Sequence, residues 1–121
     1  MALGKETGSF SLKITSISYS ENTGTVNCDG TADTFGAVLG TLTFSASEPG
    51  AQNGALSWRG EAYLENGEVL RAIGEGGFEA LGNHKWRTRL VITLSDGQIF
   101  ASDGLLDLAK RSLTGKNLEW S

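Results

Sequence analysis

The sequence predicts an all-β domain, an antiparallel up-and-down barrel of about eight strands. Three observations carry that prediction. Apolar residues alternate in short runs, as in residues 85–94, where Trp86, Thr88, Leu90, Ile92 and Leu94 fall on one face and Arg87, Arg89, Val91 and Thr93 on the other. Turn signals recur about every 8 to 15 residues, a spacing that favours a meander over βαβ units. The chain holds 17 glycines and a single proline, without a collagen-like period and without a convincing helical stretch.

Residues 1–8 read as a flexible lead-in, and residues 9–121 as one barrel domain. The first strand alternates through Phe10, Leu12 and Ile14, then slips phase and continues at Ile17 and Tyr19; one slip in a long strand predicts a β-bulge. A turn at residues 21–24 leads to a polar-rich strand over 25–33 and a third strand over 38–46. Pro49-Gly50 and Asn53-Gly54 punctuate a loop before a fourth strand over 55–65. Asn66-Gly67 predicts a hairpin with a type I′ turn, and the chain returns over 68–74. Gly74, Gly76 and Gly77 predict a sharp bend at a barrel corner before 78–81. Asp96-Gly97 predicts another hairpin, a strand follows over 98–108 with a kink at Asp103-Gly104, and 112–120 closes the chain. An open sheet of this size would leave two bare edges, and pairing the last strand with the first removes both. The alternative architecture is a two-sheet sandwich.

The net charge of -4 disfavours nucleic acid and anionic membrane surfaces as partners. The one cysteine, Cys28, has no internal disulfide partner, and a buried inert thiol is its expected state. No apolar run suits a leader or a membrane-spanning helix, so a cytoplasmic location is expected. No metal site is expected, because the one histidine, His84, stands alone in a predicted turn, and no cofactor motif is present.

The run Gly74-Glu75-Gly76-Gly77-Phe78-Glu79, followed by His84-Lys85-Trp86-Arg87-Thr88, Ser95-Asp96-Gly97, Asp107-Leu108-Ala109 and Trp120, resembles small bacterial barrels of the allene-oxide-cyclase-like or lipocalin-like (calycin) kind. The resemblance covers the C-terminal half and rests on turn and core residues. No Trp precedes Trp58, so the N-terminal Gly-x-Trp motif of lipocalins is absent, and no family catalytic residue maps onto a position here. The resemblance implies a hollow barrel that holds a small apolar molecule or folds a reactive one into a ring.

Arg59, Glu61 and Tyr63 share one face of their strand, opposite Trp58, Gly60, Ala62 and Leu64. Inside a cavity, Tyr63 would donate a proton and Glu61 would act as base; outside, the row is a solvated surface. The apolar row makes the better interior. Asp29, Asp33, Glu75, Glu79, Asp103 and Asp107 lie near predicted bends, where two carboxylates meeting in a lumen would do acid–base work. Asp103 stands on a face with Ile99, Ala101 and Leu105, which makes it a buried functional group or a residue turned out by a bulge at Gly104. Trp58, Trp86, Phe44, Phe78, Phe100 and Trp120 are the aromatics expected inside, and the small Gly60 and Ala62 beside Trp58 point to open space in the lumen.

These readings converge on a barrel that binds a small apolar molecule against Trp58, Trp86, Phe44, Leu90 and Phe100. The alternatives are a cyclase or isomerase working in the lumen through Tyr63, Asp103 or Glu61, and a homo-oligomeric interaction module using an outer face that carries Tyr63, Val69 and Val91.

Overall fold

Alternating apolar residues give each strand one face that must leave water, and the chain buries all of those faces by rolling up. The computed structural model describes residues 3–120. Eight strands follow in order: β1 (Leu3–Tyr19), β2 (Thr23–Ala32), β3 (Gly36–Ser45), β4 (Asn53–Tyr63), β5 (Val69–Gly82), β6 (Lys85–Leu94), β7 (Ile99–Asp107) and β8 (Ser112–Trp120). Each pairs antiparallel with the next, and β8 returns to β1, so the sheet is a closed up-and-down barrel. Closure leaves neither edge bare. The described residues contain no helix, and so none long and apolar enough to cross a membrane.

The β1 bulge lies where the phase slip predicts it, with the β2 register shifting between Ile14 and Ser16. Ile14 therefore faces Cys28, and Ile17 faces Val26, on the same inner side. The inward rows of the strands form the core: Leu12, Leu42, Leu56, Trp58, Leu90, Ile92, Leu106 and Leu113 are all buried.

Four local expectations are corrected. Residues 3–8 are not a lead-in but the start of β1, paired irregularly with β8 from Leu3↔Trp120 to Gly8↔Asn117. Main-chain pairing needs no apolar pattern, which is why Leu3-Gly4-Lys5-Glu6-Thr7-Gly8 gives no sign of it. The glycines at 74, 76 and 77 make no corner: β5 runs through them unbroken, in register with β4 and β6. The Asn66-Gly67 turn is of a different type as well, since Gly67 sits at φ +93° while Asn66 does not share a positive φ. Gly67 N donates to Leu64 O and Leu64 N to Glu68 O, which is a type I turn closed by a left-handed glycine. Asp96-Gly97 repeats it, with Gly97 N bonded to Leu94 O and Leu94 N to Gln98 O. In both, the side chain before the glycine caps the turn, Asn66 Oδ1 accepting from Glu68 N and Asp96 Oδ1 from Gln98 N. The two-residue turn with both central residues at positive φ is instead Asn83-His84, at 55° and 60°. Finally, β7 carries no kink or bulge at Gly104; its register with β6 and β8 is continuous.

Candidate functional site

The barrel has two ends. One gathers the 33–35, 64–68 and 95–98 connections with the start of β1 and the end of β8; the other gathers 20–22, 46–52, 83–84 and 108–111. Between them the lumen is partly filled by two aromatic rings, each lying against a pair of glycines. Gly40 and Gly60 face each other across β3 and β4, and a Cβ at either would stand 2.5 Å from the Trp58 ring. Gly104 and Gly115 face each other across β7 and β8, and a Cβ there would stand 3.2 and 2.8 Å from Phe10 Cζ. The small residue beside Trp58 therefore does not leave a hole, as the sequence suggests; the indole itself occupies the space that Gly60 vacates.

What stays open is a cavity of about 70 Å³ towards the first end, walled chiefly by Leu12, Leu42, Ala62, Leu90, Ile92 and Leu113. Phe35, in the β2–β3 turn, stacks on Phe100 with ring centroids 5.6 Å apart. Both rings border this cavity and also a groove of about 430 Å³ at the barrel mouth, where Thr7, Asp33, Gln98, Glu119 and Trp120 lie. Phe35 is held between two residues with left-handed backbone, Thr34 at φ 72° and Gly36 at φ 77°. For a β-branched residue such as Thr34 that conformation is a real outlier. Three buried polar side chains also line the cavity, Asn117, Ser102 and Thr88.

The five predicted lumen residues divide. Trp58, Leu90 and Phe100 border the cavity. Phe44 and Trp86 lie at the opposite end, where Phe44 packs edge-on against Phe78 at 5.0 Å and both join Ile17, Trp86 and Leu106 around an apolar groove of about 360 Å³. Trp120, expected inside, falls on the outward phase of β8, since Leu113, Gly115 and Asn117 take the inward one. The indoles thus do not share one hollow.

The three polar candidates turn their polar groups to the outer face, although Glu61 also borders the cavity. Tyr63 is 42% exposed and its hydroxyl donates to Glu61 Oε1 at 2.8 Å, while Glu61 Oε2 lies 3.5 Å from Arg71 Nε. That hydrogen bond from Tyr63 to the Glu61 carboxylate pushes the phenol above its ordinary pKa. Asp103 accepts two hydrogen bonds from Arg87, Nε to Oδ1 at 3.1 Å and Nη2 to Oδ2 at 2.8 Å, which hold its carboxyl below the usual range. An unbroken β7 register places Asp103 outside, so the bulge expected at Gly104 is unnecessary. Asp29, Asp33, Glu75 and Glu79 are exposed, and Asp107 is buried as a turn cap accepting from Lys110 N at 3.2 Å. Cys28 is buried, and desolvation, with a smaller push from Asp29, raises its thiol to about 12.

Sequence reasoning missed Phe35, which falls between the second and third predicted strands, and Asn117. The signal for Asn117 was the inward alternation from Leu113, which places a polar residue on an apolar row. Comparison with protein-family models, curated proteins and solved structures finds no match to this chain.

Proposed function

We propose that this barrel binds a small, largely apolar molecule in its lumen, reached from the mouth beside Phe35, in the manner the calycin-like resemblance implies. The observation that supports the reading most is that an apolar internal cavity adjoins a mouth groove, with Phe35, Phe100 and Asn117 bordering both. Magnitude decides how it works. A hole of about 70 Å³ is under half the size of the roughly 150 Å³ apolar cavity that accepts benzene. The groove, at about 430 Å³, lies within the roughly 300–1,000 Å³ of small-molecule sites. A ring-sized ligand therefore requires the Phe35 side chain to swing aside and join the two spaces. The turn that carries Phe35 suits such a motion, because Thr34 beside it sits in the strained left-handed region.

The test is a titration with toluene, followed by amide chemical shifts, on the parent chain and on Phe35→Ala and Leu90→Trp. Saturable binding to the parent, tighter binding to Phe35→Ala and loss of binding in Leu90→Trp are expected. Equal affinity in all three, or no saturation in any, contradicts the reading.

A second reading rests on the outer rows of β3 to β5, where Leu39, Tyr63, Val69 and Ile73 are each more than 40% exposed. Such a strip suits contact with a second copy of the chain. Sedimentation of the parent against Ile73→Asp distinguishes it: a dimer that dissociates in the variant supports assembly, and two monomers refute it.

A further inference from the structure

Thr88, Ser102 and Asn117 are 3%, 7% and 6% exposed, and they lie on three consecutive strands. Ser102 stands opposite Leu90 on β6 and opposite Asn117 on β8, so these two polar residues share one rung of the ladder. Thr88 stands one rung deeper, opposite Gly104. The three make a hydrogen-bonding stripe that runs inward from the mouth, where Asn117 also borders the groove. A Cβ at position 104 would lie 2.7 Å from Thr88 Oγ1 and 3.2 Å from Phe10 Cζ, so the glycine there leaves room for that hydroxyl beside the Phe10 ring.

Apart from the strand ladder, the hydrogen bond found at these positions runs from Thr7 Oγ1 to the backbone carbonyl of Asn117, at 3.3 Å. No side-chain partner is present for any of the three among the described residues. Nor is any buried side-chain nitrogen or oxygen among those residues both sealed off and unpartnered. The polar atoms of the stripe therefore open onto the cavity. Polar groups withdrawn from water are ordinarily paired within the fold. Three without a side-chain partner among the described residues converge on this one apolar cavity.

We propose that this stripe selects a neutral ligand carrying a hydroxyl or carbonyl head group, with its apolar body towards Phe35 and Phe100. Hydroxyls both donate and accept, and the Asn117 amide does the same with separate atoms, so the stripe serves either head group. It offers no counter-charge. Glu61 borders the cavity, but its carboxylate is turned outward to Tyr63 and Arg71. A carboxylate in the lumen would be hydrogen-bonded there but withdrawn from water without a cation to balance its charge, which is disfavoured. Asp33 and Glu119 at the mouth add repulsion against an anion on its way in.

The inference rests on the lumen being the binding site, and the experiment separates the two claims. Toluene, benzyl alcohol and benzoate share one ring and differ in the head group. Each is titrated against the parent chain and the Thr88→Val/Ser102→Ala double variant, and thermal unfolding of Thr88→Val is measured without ligand. Benzyl alcohol is expected to lose about threefold to tenfold in affinity in the double variant, as for one or two lost hydrogen bonds, while toluene is unchanged or tighter. Benzoate is expected to bind the parent at least tenfold more weakly than benzyl alcohol. Thr88→Val is expected to melt no lower than the parent, because its hydroxyl bonds no side chain among the described residues. If no ligand binds, the lumen reading itself fails. If benzyl alcohol and toluene respond alike to the double variant, or benzoate binds as well as the alcohol, or Thr88→Val melts lower, the stripe is not a head-group site while lumen binding stands.

Discussion

At the scale of single residues, the lumen is governed by which side chains are missing. Gly40 and Gly60 take the Trp58 ring, and Gly104 and Gly115 take the Phe10 ring. Ala ordinarily outranks Gly in a strand, because it restricts the unfolded chain. Here the sign reverses: a Cβ at Gly60 would meet Trp58 at 2.5 Å and the Leu39 carbonyl at 2.8 Å. Gly60→Ala is expected to lose about 1–3 kcal/mol in urea unfolding, the usual range for overpacking; a gain would show that the ring does not lie there. The Cys28 thiol, buried and raised to about 12, should resist alkylation at pH 8 in the folded protein and react once the chain is unfolded. Rapid native labelling would contradict its burial. Asp103 adds a pH dependence of known sign. Its pKa is depressed in the folded state by Arg87, so its stabilising contribution is complete above the ordinary carboxylate pKa and is lost as pH falls through the depressed native value. Asp103→Asn should flatten the acid limb of the stability profile, and an unchanged limb would mean that the pair contributes nothing there.

At the scale of elements, alternation made the strands legible where one face is buried. The 85–94 run declares its inward row outright, and the phase slip after Ile14 declares the bulge. Stretches whose structure depends on main chain alone were not legible. Residues 3–8 pair with β8 without an apolar pattern, and Gly74, Gly76 and Gly77 lie inside an unbroken strand because the neighbouring backbones set the path there. Turn positions were legible, but turn types were not. Asn66 stays at negative φ because its side chain caps Glu68 N, while Asn83-His84 takes the two positive φ values. The lumen aromatics were identified by type, and their division between two ends was not, because it depends on how far along its strand each residue lies. The chain also places side chains where glycine is favoured: His84 at φ 60° and Arg111 at φ 54°, both exposed. His84→Gly and Arg111→Gly are each expected to raise stability by about 0.5–1 kcal/mol, as relief of left-handed strain outweighs the entropy of the added glycine. A loss at both positions would mean that those side chains hold the turns.

At the scale of the whole molecule, closure does two things. It removes the sheet edges by pairing β1 with β8, and it encloses a wall whose residues come from every strand. A small barrel of this kind either packs its interior solid or keeps part of it open. This one does both: Trp58 and Phe10 pack the middle, Phe44, Phe78 and Trp86 line the far end, and a cavity remains beneath the stacked Phe35 and Phe100. The candidate site was thus half readable beforehand. Trp58, Leu90 and Phe100 were on the expected list, whereas the Phe35 ring and the stripe of Thr88, Ser102 and Asn117 follow only from the register.

The most direct measurement is the set of intermolecular nuclear Overhauser contacts made by bound benzyl alcohol. Contacts from its ring protons to the methyl groups of Leu42, Leu90, Ile92 and Leu113 are predicted, all of which border the cavity, with none to Leu39, Val69 or Ile73 on the outer face. Contacts confined to the outer three, or to the groove formed by Phe44 and Trp86, would contradict it.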